Sequence, residues 1–148
     1  MSSLRIESAR QRRACVAPAL MALLLTSATA QASAWVHVGT GKDGTKVWVD
    51  TSSITVTGSL RQAWLKMTFP VHSQPGSGDD ASKWVDFSLN HAAFKCNEST
   101  SKSDALENHF DDGTSRKVPA EDISGDKWES VPPNTALETV MKFVCGWK

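Results

Sequence analysis

The segment LRQAWLKMTF, residues 60–69, decides the fold because its side chains alternate between two characters. One side of an extended chain would carry the apolar residues Ala63, Leu65, Met67 and Phe69. The other side would carry Gln62, Trp64, Lys66 and Thr68. A two-residue period of this kind is typical of a β-strand with one buried face. We therefore expect the apolar side to face the core of an antiparallel sheet.

The residues before this segment predict three further strands. Residues 54–57 are short and β-branched, and Gly58-Ser59 would link them to the central segment by a tight turn. Residues 35–39 and 46–50 alternate on either side of Gly41-Lys42-Asp43-Gly44, which predicts a β-hairpin. In the second strand of that hairpin, Val47 and Val49 would lie on one face with Trp48 on the other.

The residues after the segment predict a return to the sheet. Residues 70–82 are rich in Pro, Gly, Ser and Asp and are expected to form an exposed loop. In residues 83–96 we expect an apolar face made of Val85, Phe87, Leu89 and Ala93. The opposite face would carry Trp84, Asp86, Ser88, Asn90 and Phe94. Residues 97–103 are polar, and only their position suggests that they continue as a strand or pair at an edge, whereas residues 106–118 predict a hairpin around Asp111-Asp112-Gly113.

The C-terminal segment changes to a helical period. Its apolar stripe consists of Leu137, Val140, Met141, Val144 and Cys145. Thr135 followed by Glu138 fits a capping box, and Gly146 stands where a helix would end. The predicted fold class is α+β, mainly β: a single antiparallel sheet of about six strands with one C-terminal helix.

Residues 1–34 have the order of a secretory signal peptide. Arginines come first, an apolar run at residues 16–25 follows, and small residues lead to Ala32-Ser33-Ala34, an A-x-A cleavage site. We expect cleavage after Ala34, which leaves residues 35–148 as the mature domain; a cut after Ala30 is the alternative. Arg12-Arg13 could also belong to a twin-arginine signal, although the residues that follow do not support it.

This leader predicts neither a membrane span nor a lipid anchor. The apolar run is shorter than the roughly 20 residues that a spanning helix needs. Cys15 precedes the run, whereas a lipid-anchoring cysteine would follow it. A periplasmic or secreted protein is therefore expected.

The mature chain would keep two cysteines, Cys96 and Cys145, and an even number in an exported protein predicts a disulfide. Closing a loop of about 50 residues is worth roughly 4 kcal/mol in the chain-entropy model, as an upper figure. Since Cys145 lies on the apolar stripe, the bond would tie the helix to the sheet.

Removal of the leader makes the protein acidic. It takes away four of the 16 basic residues and one of the 16 acidic residues, which leaves 12 and 15. Nucleic-acid binding depends on Lys and Arg clusters that neutralise phosphates, and none is present. A nucleic-acid partner is therefore not expected.

The sequence offers little support for catalysis or for a cofactor. The histidines His37, His72, His91 and His109 are scattered without metal-ligand spacing. The pairs Asp79-Asp80 and Asp111-Asp112 lie in turn sequences, and Gly76-Ser77-Gly78 lacks the lysine of a phosphate loop. There is no G-x-S-x-G motif, and no cysteine stays free as a nucleophile once the disulfide forms. We expect a protein that is not an enzyme and carries no metal or other cofactor.

Three tryptophans, Trp48, Trp64 and Trp84, lie opposite the aliphatic residues of their predicted strands. Exposed indoles would form an aromatic patch for a protein or carbohydrate ligand. The alternative is that this second face is also shielded, either by a curled edge of the sheet or by a second copy in a homodimer.

The order and spacing of several short motifs resemble the surface-adhesin protein E family. The motifs are Trp35, Val47-Trp48-Val49-Asp50 with Ser53-Ile54, Trp64-Leu65-Lys66, Cys96, Phe110-Asp111-Asp112-Gly113, and Trp128-Glu129-Ser130-Val131-Pro132 before the helix. The resemblance covers most of residues 35–145. It implies an extracytoplasmic bacterial domain with an antiparallel sheet and a C-terminal helix. Adhesion to host proteins is attached to the family name, and no catalytic residue is implied.

The predicted function is thus a non-enzymatic extracytoplasmic binding module, whose partner is an envelope or host protein. The alternative is a small periplasmic enzyme or a haem or metal carrier.

Overall fold

The structure, a computed structural model, describes residues 33–119, 121–123 and 127–148. The predicted signal peptide lies outside this part of the chain, except for its last two residues, Ser33 and Ala34.

The described residues form one antiparallel sheet of eight strands and one α-helix. The elements are β1 (Trp35–Thr40), β2 (Lys46–Asp50), β3 (Thr55–Thr57), β4 (Leu60–Thr68), β5 (Val85–Lys95), β6 (Thr100–Phe110), β7 (Ser115–Lys117), β8 (Glu129–Ser130) and α1 (Ala136–Cys145). Six strands follow one another in the order β1-β2-β4-β5-β6-β7, while β3 pairs with β4 and β8 pairs with β6. The predicted α+β fold class is confirmed.

Two of the tight turns use glycine where the backbone must enter the left-handed region. Gly58 has φ 59° between β3 and β4, and Gly113 has φ 82° between β6 and β7. Glycine occupies this region without the steric cost that a Cβ imposes.

The helix begins and ends as the sequence predicts. The backbone N–H of Glu138 donates to Oγ1 of Thr135 at 3.2 Å, and Oε2 of Glu138 accepts the N–H of Asn134 at 2.7 Å. A hydrogen bond from Lys142 and this contact with Asn134 lower the pKa of the Glu138 carboxyl. Gly146 caps the C-terminus.

The hydrophobic core lies between α1 and one face of the sheet. Val49, Ala63 and Phe94 from the sheet, with Val140 and Val144 from the helix, are at most 1% exposed. Burial of these apolar side chains is the main force that holds the helix on the sheet.

The disulfide between Cys96 and Cys145 is formed, with a Cα–Cα distance of 5.7 Å. Cys96 directly follows β5 and Cys145 is the last residue of α1, so the bond joins a strand end to the helix end. This part of the prediction is confirmed.

The two faces of β5 group as predicted from Phe87 to Phe94, but the core lies on the less apolar side and Val85 does not belong with Phe87. Phe94 and Ala92 are in the core, whereas Phe87 and Leu89 lie on the opposite face. The register shifts between Val85 and Phe87, so these two residues cannot share a face as a regular strand would require. The core side of β5 then includes Ser88 and Asn90, which hydrogen-bond to Asn108 and Ser103 of β6.

The polar residues 97–103 are neither an edge strand nor a continuation of β5. Residues 96–99 form a turn, and the chain returns as β6, which runs alongside β5 as an inner strand. Its polar side chains are accommodated because Ser103 pairs with Asn90 and Asn108 pairs with Ser88.

Ala34 hydrogen-bonds to the folded domain. Its N–H donates to Oδ1 of Asp50 at 3.0 Å, and its carbonyl accepts the N–H of Thr51 at 2.9 Å and the Thr51 hydroxyl at 3.0 Å. Asp50 is only 7% exposed and also accepts from the N–H and hydroxyl of Ser52. The predicted cleavage after Ala34 would remove the Ala34 contacts.

Candidate functional site on the open face of the sheet

The helix covers only one face of the sheet; we call the opposite face the open face. Directly paired residues share a face, so the strand register defines its composition. One row runs from β1 to β7 through His37, Trp48, Lys66, Leu89, Glu107 and Lys117. The row beside it contains Trp64, His91 and Ala105.

Two further sets complete this face. On the far side of the Trp48 row lie Thr40, Lys46, Thr68, Phe87, His109 and Ser115. Beyond the Trp64 row lie Gln62, Ala93 and Lys102. This end of the face is covered: Ala93 is 1% exposed, and Nζ of Lys102 lies 5.7 Å from the centroid of the Trp128 ring. The open face is therefore a mixed surface of aromatic, imidazole and lysine side chains.

Rings on the open face pack in pairs across neighbouring strands. Trp48 lies beside His37 with 5.0 Å between ring centroids, and Trp64 lies beside His91 at 5.1 Å. Phe87 and His109 are stacked, at 4.2 Å and 12°. The two tryptophan–histidine pairs are tilted, at 56° and 53°, and only the Phe87–His109 pair is stacked.

Trp48 and Trp64 form one patch. Trp48 pairs with Lys66, and Trp64 is two residues from Lys66 on β4, so the tryptophans are diagonal neighbours with Cα atoms roughly 7–8 Å apart. Trp64 is 37% exposed, whereas Trp48 is half-buried. The exposed indole of Trp64 is thus the accessible member of the pair.

Trp64 also forms one wall of a groove of about 500 Å³. The groove is lined by Trp64, Asp104, Ala105, Leu106, Glu107, Lys117, Val118 and Ile123. Aromatic and aliphatic walls with a few charged groups at the margin are typical of sites that receive an apolar group.

Trp84 belongs to a separate cluster. Its ring lies 5.2 Å from that of His72, and its backbone N–H donates to Oδ1 of Asp111 at 3.2 Å. Nε2 of His72 is 3.7 Å from Oδ2 of the same aspartate. The three predicted patch residues are therefore two neighbours, Trp48 and Trp64, and a third indole packed by the loop that precedes β5.

The aspartate pairs stabilise loops in the structure. Lys83 lies 3.1 Å from Asp80 and 3.2 Å from Asp112, and Arg116 lies 3.2 Å from Asp80. The hydrogen bond from Lys83 lowers the pKa of Asp80, and that from Thr114 lowers the pKa of Asp112. The two acidic partners raise the pKa of Lys83. This network ties the loop before β5 to the turn between β6 and β7.

The histidines have no common ligand site in the part of the chain described. Each has its own aromatic neighbour, and no group of three or more His, Cys, Asp or Glu side chains there has the arrangement of a metal site.

The ring pairs and the groove were missed by the sequence interpretation. They depend on which residue of one strand faces which residue of the next, and a single sequence does not encode that register visibly. The usable signal was the recurrence of His and Lys opposite the aliphatic residues of the same strands.

The geometry defines a class: a small, disulfide-closed α+β domain in which a helix covers one face of an antiparallel sheet and an aromatic face stays open. The sequence model of the surface-adhesin protein E family matches residues 35–146, so the chain belongs to this family. Family membership and the disulfide indicate an extracytoplasmic surface protein.

The fold resembles that of a solved structure. The structure of Haemophilus influenzae protein E superposes with a TM-score of 0.52, at 11% sequence identity, over 77% of this chain and 85% of that one. At this identity the match supports a shared fold. No curated protein sequence matches the chain. None of the described helices is long and apolar enough to cross a membrane.

Proposed function

We propose that the protein is a non-enzymatic binding module of the periplasm or cell exterior, and that it holds an envelope or host protein on the open face of its sheet. The single observation that carries this proposal is the exposed indole of Trp64 beside the groove, on a sheet face that the helix does not cover.

Two physical features support binding through this surface. Tryptophan contributes a large contact area with only two rotatable side-chain bonds, and it is enriched among residues that dominate binding energy. The core and the disulfide hold α1 against the other face of the sheet. A rigid scaffold with a flat aromatic face loses little conformational entropy when a partner docks.

Membership of an adhesin family favours binding over catalysis. Trp48 belongs to the proposed surface as the half-buried neighbour of Trp64, and Trp84 would contribute from its own cluster with His72. A second copy of the chain is the other occupant that this surface could accept.

The test is retention of an envelope or host protein by immobilised mature protein. Trp64→Ala should weaken retention at least tenfold, roughly the effect of removing a dominant interface tryptophan. Trp147→Ala is the matched control, because Trp147 is also 37% exposed but follows α1 and lies beside Phe143. Circular dichroism and thermal unfolding of both variants verify the fold.

Equal retention by wild-type protein and Trp64→Ala would contradict the proposal, as would an equal loss from both variants. Sedimentation of the purified protein over a range of concentrations tests the homodimer. Concentration-dependent association that Trp64→Ala removes would show that the second copy occupies this face.

A further inference from the structure

The open face carries more lysines than carboxylates. Five lysines lie in the open-face rows or beside them, namely Lys46, Lys66, Lys95, Lys102 and Lys117. Lys95 is paired with Glu98 at 3.1 Å, and Lys102 with Asp104 at 2.8 Å. Among the described residues the other three, Lys46, Lys66 and Lys117, have no carboxylate within ion-pair distance.

Two acidic residues, Asp104 and Glu107, lie on or beside this face. Asp104 also lies 3.5 Å from Nδ1 of His91, and Glu107 lies 3.4 Å from Nε2 of His109. Asp104 and Glu107 line the groove together with Lys117, and Glu107 is the cross-strand partner of Lys117, so these two carboxylates offset part of the lysine charge on the face.

Two of the lysines, Lys66 and Lys117, lie beside the aromatic patch. Lys66 is the cross-strand partner of Trp48, and its Nζ lies 4.2 Å from the centroid of the Phe87 ring. Lys117 lines the groove beside Trp64. The mature chain as a whole has more acidic than basic residues, whereas lysines outnumber carboxylates on this face.

We infer that the partner on this face is a protein segment that inserts an apolar side chain into the groove beside Trp64 and places carboxylates against Lys66 and Lys117. The inference rests on the proposed function and names the chemistry of the partner. The groove provides contact area for the apolar side chain of the partner. Attraction between the partner's carboxylates and the two lysines orients the partner and selects against basic partners.

The probe is a short blocked peptide with a central leucine between glutamates, titrated into the mature protein while the indole N–H signals are followed by NMR. Two matched peptides replace the leucine by serine, or the glutamates by lysines. The glutamate–leucine peptide should shift the Trp64 indole signal, and either replacement should weaken binding by about tenfold.

The protein variants separate charge from folding. Lys66→Glu combined with Lys117→Glu should weaken the same peptide by about tenfold, whereas Lys42→Glu combined with Lys148→Glu should leave it unchanged. Lys117→Gln alone provides a second measurement, because Lys117 is exposed and this change removes its charge without placing a second glutamate opposite Glu107.

Each other outcome overturns the inference. Equal or tighter binding of the lysine peptide would refute the acidic partner while leaving the open face as a binding surface. A response to heparin without a response to the glutamate–leucine peptide would assign the lysines to a sulfated polysaccharide. Absence of any shift at Trp64 would refute the groove as an anchor site, whereas the proposed function is judged separately by the Trp64→Ala retention experiment.

Discussion

Phe94 and Phe87 lie on the same strand but on opposite faces, and their side chains therefore differ in burial. Phe94 is fully buried in the core, whereas Phe87 stacks on His109 at the surface. Phe94→Ala should lower the free energy of unfolding by about 3–5 kcal/mol because it leaves a cavity. Phe87→Ala should cost less, about 1–2 kcal/mol, because Phe87 is only half-buried and loses part of its apolar burial with its stacking and its contact with Lys66. Urea unfolding of both variants measures the difference, and similar losses would contradict the observed register of β5.

Ala34 gives a second prediction at the level of single residues. A mature chain that begins at Ser33 keeps its hydrogen bonds to Asp50 and Thr51, whereas one that begins at Trp35 loses them. We expect the longer chain to be more stable by about 1 kcal/mol, the net worth of such contacts. Urea unfolding of the two chains measures it, and Asp50→Ala in both should reduce the difference. Equal stability of the two chains would show that Ala34 contributes nothing to the fold.

At the scale of elements, the loop between β4 and β5 is held by charge, which predicts a pH dependence. The pKa values of Asp80 and Asp112 are lowered in the folded protein, so their contribution is present above the ordinary carboxyl value of 3.8 and is lost as pH falls through the lowered values. The pKa of Lys83 is raised above 10.5, so its contribution is complete below that value and is lost as pH rises through the raised one.

Lys83→Met should therefore lower Tm by a few degrees near neutral pH, a modest effect because the network is at the surface. The deficit should shrink below the lowered carboxyl pKa values and again at strongly alkaline pH. Differential scanning calorimetry across pH measures it, with Lys148→Met as the exposed control. A deficit of the same size at every pH would mean that Lys83 acts by packing and not by charge.

The elements differ in how far the sequence predicted them. The helix and its caps were predictable because Thr135, Glu138 and the apolar stripe act within a few residues of one another. The strands were predictable from alternation, as in residues 60–69. The face assignment of β5 failed for Val85 because a bulge at Asp86 breaks the alternation there, and no local composition marks that extra residue. The candidate site was missed in part because Trp48 and Trp64 are neighbours only through the register of β2 with β4.

At the scale of the whole molecule, one face of the sheet stabilises the fold and the other is the proposed binding surface. One face is filled by α1 and is closed by the disulfide, so it supplies stability. The other face is left free of that requirement and can carry indoles, imidazoles and lysines. Substitutions on the open face should therefore change binding more than stability, which makes the experiments on Trp64 and Lys117 interpretable.

The number of free thiols shows whether the leader of the chain has been cleaved and whether the disulfide has formed. The sequence has three cysteines: Cys15 in the predicted leader, and Cys96 and Cys145, which form the disulfide. After export and cleavage, denatured protein treated with an alkylating reagent in the absence of reductant should take up no label. One label would show oxidation with the leader retained, and three would show a chain that was neither cleaved nor oxidised. Reduction of the exported protein should lower the free energy of unfolding by up to about 4 kcal/mol, because the bond closes a loop with a sequence separation of 49. Recovery of three labels from the periplasmic or secreted fraction would refute both the processing and the oxidation on which the extracytoplasmic role depends.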